Sequence, residues 1–279
     1  MKNRIVFAML SLASVILTFN GCRKEGVNYS TTVALDNSIA QAGFNDLHNV
    51  VLQESADNGF AGLRSGNNTE YGKVADGCAT VTFSAPLGTY PNTMTIDFGT
   101  GCIGYYGIER SGKIIATFTG AYRTPGTVIT ITTDNYHVNG NLVEGTKTIT
   151  NTGENADGNI VFNIAVTDGK ITLADGSAIE WNASREREWS EGADTEIISD
   201  DVYMISGSSY GINREGINFT ETITADLRVE LDCRYIVSGI REIAPEGIET
   251  RTVDYGDGEC DNQISITIEG TTYDIELPF

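Results

Sequence analysis

The feature that most narrows what this chain can fold into is a period-two alternation of apolar and polar residues, held over long runs and broken each time by a tight-turn signal. Lys113 to Tyr122 runs into Thr124-Pro125-Gly126, Val128 to Val138 into Asn139-Gly140-Asn141, and Leu142 to Asn151 toward Asp157-Gly158. Ile160 to Val166 leads to Asp168-Gly169, Ile171 to Leu173 to Asp175-Gly176, and Ile179 to Trp189 to a loop at Gly192. Asn-Gly and Asp-Gly supply the positive backbone angles of tight hairpins. Further on, Ile217, Phe219, Ile223, Ala225, Leu227, Val229 and Leu231 fall on one side of a single long strand, interrupted only by Glu221. Alternation this sustained means antiparallel sheet with one buried face. The expected fold is mainly β: a meander of about a dozen strands rolled into a half-open barrel or folded into a sandwich, because flat sheets that wide are uncommon.

One segment departs from the pattern. Ala40, Phe44, Leu47 and Val51 recur at helical spacing behind a capping sequence, Asp36-Asn37-Ser38, so a helix over 38–56 should lay that stripe on the sheet. Gly59 to Gly77, rich in Gly and Asn, reads as a loop.

The amino terminus carries an address. Lys2 and Arg4 precede an apolar stretch from Ile5 to Phe19, and Asn20-Gly21-Cys22 follows at once. That stretch is shorter than the roughly 20 residues a membrane-crossing helix needs. A small residue directly before a cysteine is what lipoprotein signal peptidase requires, so residues 1–21 read as a cleaved signal peptide and Cys22 as the lipidated residue. Phe19-Asn20-Gly21-Cys22 resembles the looser lipobox of Bacteroidota lipoproteins, with Phe and Asn where Leu and a small or β-branched residue are usual. Residues 22–35 then form a tether and 36–279 a single β-rich domain. Arg23 is not the Asp that retains many lipoproteins at the inner membrane, so the outer membrane is the expected location, facing either the periplasm or the cell exterior.

Composition excludes some partners. With 18 Lys and Arg against 38 Asp and Glu the formal net charge is −20, and losing Lys2 and Arg4 with the leader deepens it. Such a chain repels nucleic acid and anionic head groups, which leaves the N-terminal lipid as its link to a membrane.

Four cysteines remain beyond Cys22. An even number in an exported protein argues for two disulfides. Cys78 and Cys102 flank one expected hairpin, and Cys233 and Cys260 flank another around Pro245-Glu246-Gly247. In each, the cysteines should meet at the open end, pairing Cys78 with Cys102 and Cys233 with Cys260. The stretch Thr95 to Cys102 is echoed by Thr252 to Cys260.

With anchor, helix and paired hairpins in view, the chain resembles an uncharacterised cell-envelope lipoprotein family of the Bacteroidota over most of residues 36–277. The resemblance rests on Ile96-Asp97-Phe98-Gly99-Thr100-Gly101-Cys102, on Gly145-Thr146-Lys147-Thr148-Ile149-Thr150-Asn151, on the run Trp181 to Trp189, and on Asp254-Tyr255-Gly256-Asp257-Gly258 before Cys260. It implies class and compartment, and no activity, substrate or catalytic residue.

Candidate chemistry is sparse. His48 and His137 are the only histidines, the first expected at an exposed or capping position of the helix, the second on a strand surface or core edge. No motif places either in a catalytic triad. On a strand, Trp181, Arg185, Arg187 and Trp189 share one face. They would form a ligand-binding surface if that face is open, or a packed cation–π ladder with the arginines paired to acids if it is closed; the packed arrangement is preferred. Asp254, Asp257, Glu259 and Asp261 offer four carboxylates to a Ca2+ ion, though not at EF-hand spacing. Two function classes follow: a non-catalytic binding or structural envelope lipoprotein that holds a glycan or envelope protein, or a hydrolase acting on envelope or other polysaccharide through an acid pair.

Overall fold

The computed structural model describes residues 30–60, 79–104, 107–195, 197 and 199–277. The expected leader, Cys22, Cys78 and nearly all of the 59–77 loop lie outside them.

The chain forms one helix followed by an antiparallel meander. Helix α1 spans Thr32–Asp57. The strands are β1 (Thr80–Phe83), β2 (Asn92–Asp97), β3 (Cys102–Ile103), β4 (Glu109–Phe118), β5 (Val128–Val138), β6 (Asn141–Glu154) and β7 (Ile160–Thr172). They continue as β8 (Ala178–Glu191), β9 (Val202–Ile212), β10 (Asn218–Glu230), β11 (Ile236–Pro245), β12 (Arg251–Asp257), β13 (Gln263–Ile268) and β14 (Thr271–Glu276). All fourteen belong to one sheet in chain order, except that short β3 pairs with β4 off the main path. Among the described residues β1 and β14 each pair with one strand only, and the sheet is not closed into a barrel.

The turn chemistry works as expected at Asn139-Gly140, where φ values of 48° and 78° close the β5–β6 hairpin. At Asp168-Gly169 it does not. The two strands expected on either side are one strand, β7, and the dipeptide is a bulge opposite Asn182, with Asp168 at φ 53°. The bulge has a packing role. A Cβ on Gly169 would stand 2.1 Å from the Trp181 carbonyl and 3.0 Å from the Phe44 ring, so glycine lets the helix approach here.

Helix α1 lies across the strands on the inner face. The Ser30 carbonyl just ahead of it accepts hydrogen bonds from Arg251 of β12, its middle meets β4 to β8, and Ser55 near its end touches Met94 of β2. A helix of 26 residues is about 39 Å long. The nine strand spacings from β12 to β2 come to about 43 Å, so one helix serves nearly the whole sheet. The sheet also curves round it. The less buried positions, among them Leu35, Ala42, Asn45, Asn49 and Gln53, fall along one strip, and the rest of the helix is buried.

The helix begins six residues before the expected start. Asp36, Asn37 and Ser38 are not a cap: all three are buried inside the helix, their side chains engaged by the sheet. Val33 and Ala34, assigned to the tether, are core residues. The stripe of Ala40, Phe44, Leu47 and Val51 is buried as expected. Cys233 and Cys260 form a disulfide at the open end of the β11–β12 hairpin, with Cα atoms 5.7 Å apart. Cys102 is disulfide-bonded, and Cys78, its expected partner, falls outside the described residues.

Candidate functional site

The Trp/Arg face of β8 points inward, toward the helix. Trp181 is 3% exposed and Trp189 2%, so of the two arrangements considered the face is the closed, packed one, and Trp181, Arg185, Arg187 and Trp189 do not form an open ligand-binding surface. Each aromatic or cationic group finds a partner inside the protein. Trp181 donates its indole N–H to Asn37 at 2.8 Å and stacks on Phe44 with centroids 5.5 Å apart. Arg185 forms a buried ion pair with Glu221, which also accepts a hydrogen bond from Ser209. Glu221, the apparent interruption in its strand's apolar face, is thus where the sheet answers a buried arginine.

Arg187 departs from the expected pairing with an acid. Its guanidinium bonds to His48 Nε2 at 2.6 Å and donates to the Tyr122 hydroxyl, and lies 5.0 Å from the Phe162 ring centroid and 4.6 Å from that of Tyr203. His48 is buried rather than exposed or capping, because its ring accepts this bond from the sheet. Burial first, then the neighbouring charges of Arg187 and Lys147, push its imidazole well below the usual histidine range, so it is neutral. Lys147 of β6 donates to the Phe44 carbonyl at 2.9 Å and is pushed down to about 7 by burial and then by Arg187. On the opposite side of the helix, Asp46 receives Arg110 and the Tyr136 hydroxyl. These perturbed groups are sealed under α1, where their work is to join helix to sheet. Glu54, near the helix end, is raised to about 7 by burial and then by Asp57.

The carboxylates considered for Ca2+ do not converge. Asp254 accepts from the Gly256 N–H and Asp261 from the Gln263 N–H, each closing its own turn. Among the described residues no group of three or more His, Cys, Asp or Glu side chains is placed to hold a metal. The site expected of Asp254, Asp257, Glu259 and Asp261 is therefore not formed, since acids in successive tight turns bind their own backbone first. His137 is half-buried on β5, its Nδ1 3.0 Å from the Asn135 carbonyl oxygen, and faces no catalytic partner among the described residues.

With the inner face filled by the helix, the surface left to a ligand is the outer one. It carries an open depression of about 360 Å³ over β6 to β9, lined by Thr148, Thr150, Asn163, Ala165, Ser184 and Glu186 among others. These residues occupy the alternate positions to the buried ones on the same strands, which is why inspection of the apolar set passed over them. Its hydroxyls, amide and carboxylate can donate and accept hydrogen bonds; Ile164, Arg185 and Gly207 complete the lining, which holds no imidazole, thiol or lysine.

Comparison with protein-family models, with curated proteins and with solved structures finds no match to this chain.

Proposed function

We propose that this chain is a lipid-anchored protein of the bacterial cell envelope, of the Bacteroidota lipoprotein type its sequence resembles, and that it acts by binding through the outer face of its sheet. The observation that carries the reading is the filled inner face: His48 and Lys147, two of the residues with perturbed protonation, are buried and committed to helix–sheet bonds, whereas the depression over β6 to β9 is open. A catalytic acid or base has to reach its substrate, and these two do not. The Cys233–Cys260 disulfide fits an oxidising compartment, and Cys22 behind its apolar stretch supplies the anchor.

Two measurements on the full chain in its native envelope test the proposal. Incorporation of a palmitate analogue should be abolished by Cys22→Ala. A photo-crosslinking amino acid in place of Ser184 should trap an envelope component, and the same probe in place of Glu269, in the β13–β14 turn, should not. Lipid labelling that survives Cys22→Ala, or equal trapping at both positions, refutes it.

A further inference from the structure

The strand register discloses a pattern on the outer face that no single strand shows. From Thr93 on β2 to Thr272 on β14, directly paired positions form one continuous row across the sheet, and every position in it is Ser or Thr except Ala165 and Glu242. Neighbouring hydroxyls bond to one another where the row begins and ends, Thr93 to Thr117 at 3.0 Å and Thr267 to Thr272 at 2.9 Å. Strand preference accounts for threonine, which is β-branched, but not for Ser184 and Ser208 at the centre. What these positions share is a hydroxyl. They also share neutrality: in a chain carrying 38 acids, the row holds one.

We propose, building on the outer-face reading above, that this row binds an uncharged linear polysaccharide laid across the strands. Adjacent strands are about 4.8 Å apart, so hydroxyls recur along a straight path at roughly that interval. That is comparable to the length of one sugar unit, and a ligand matching many rungs must itself be a repeating chain of hydroxyls. The row dips at its middle, where Ala165 and Ser184 line the depression. Beside the dip stands Tyr210, 60% exposed, where other large apolar side chains on this face, such as Ile115, Met204 and Ile212, are half-buried. It pairs laterally with Asn182 and Thr220, and it lies two residues along β9 from Ser208. An exposed ring flanked by an amide and a hydroxyl is suited to a sugar, whose C–H face packs on the ring while its hydroxyls reach the flanking groups. The acidity of the rest of the surface repels anionic polymers, which leaves a neutral one.

Affinity electrophoresis of the full chain, solubilised in detergent, tests this with gels containing mixed-linkage β-glucan, galactomannan, dextran or alginate. At least one neutral polymer should retard the protein and alginate should not. Tyr210→Ala should weaken retardation about tenfold with an unchanged melting temperature, as should Ser208→Asp, which sets a charge in the row. Asn49→Ala, on the exposed strip of the helix, should bind as wild type. No retardation by any neutral polymer, equal retardation by alginate, or full retention of binding in both outer-face variants overturns the assignment. If the probe at position 184 traps a protein while no polymer retards the chain, the polysaccharide is refuted and binding through the outer face stands.

Discussion

Lys147→Met should make this protein more stable at neutral pH, although it removes a buried hydrogen bond. The Lys147 ammonium is 3% exposed and titrates near 7 in the fold, against 10.5 for the free side chain. Because the folded-state pKa is depressed, the unfolded chain holds the proton more tightly throughout that interval, and wild-type stability rises with pH from about 7 to 10.5. Three and a half pH units at 1.36 kcal/mol each come to about 5 kcal/mol, and at pH 7, where the folded amine is half deprotonated, the cost of burying it is about 4 kcal/mol. The bond to the Phe44 carbonyl offsets about 1 to 2 kcal/mol of this, and that carbonyl sits inside the helix with its own backbone partner. Methionine matches the stem in volume and needs no partner. The variant should gain about 2 to 3 kcal/mol at pH 7, an advantage that shrinks by about 3 kcal/mol by pH 9.5 as the pH approaches the 10.5 at which the unfolded amine gives up its proton. Urea unfolding of both proteins at pH 7, 8.3 and 9.5 reads the difference directly, since Glu54, whose shift comes from burial and Asp57, titrates alike in both and cancels. A variant less stable at pH 7, or a gap that does not change with pH, would show that Lys147 is stabilised by its surroundings and refute the argument.

Two further substitutions probe the helix–sheet seam. Trp181→Ala should cost about 3 to 5 kcal/mol in chemical unfolding by opening a cavity against Phe44 and freeing Asn37, and a loss under 1 kcal/mol would mean the ring is not packed as described. Glu221→Gln should cost about 3 to 5 kcal/mol at pH 7 because Arg185 keeps its buried charge without a counter-charge, and the companion change Arg185→Met should recover part of the loss.

Much of the fold was legible because alternation reports burial directly. Val128 to Val138 is β5 to the residue, and the inward parity of Glu221 was visible before its partner was known. The same parity places Lys147 beside Ile149, Arg241 beside Ile243 and Arg251 beside Val253, a signal present but unused, since charged residues on an apolar face look like errors until something to hold them is identified. For Lys147 and Arg251 that something is a backbone carbonyl, of Phe44 and Ser30; for Arg241 it is the start of the helix, misread because Asp, Asn and Ser are cap formers in isolation and here serve distant arginines and a tryptophan instead. Asp168-Gly169 misled for a related reason: a dipeptide that closes hairpins also forms bulges. The hydroxyl row was beyond reach altogether. Periodicity says which face a residue takes, but not which residue of the next strand stands opposite, and the row exists only in that register.

The helix that spans the sheet also bears on how the molecule holds together in time. A meander whose strands touch only their neighbours is energetically like a repeat array, free to fray one strand at a time from either edge. Here one element is shared by early and late strands alike: Ser30 meets Arg251 across 221 residues of sequence, and Ser38 meets Arg241 across 203. Hairpins can zip locally as the chain appears, but the helix is made first and its buried Asp36, Asn37 and Gln41 gain their partners only from β8 onward. Until those strands arrive the first turns of the helix carry polar side chains whose partners have not yet been made. The chain therefore behaves as a spool that is wound from one end and locked from the other, with the ends of its sequence, rather than its middle, deciding when folding is complete.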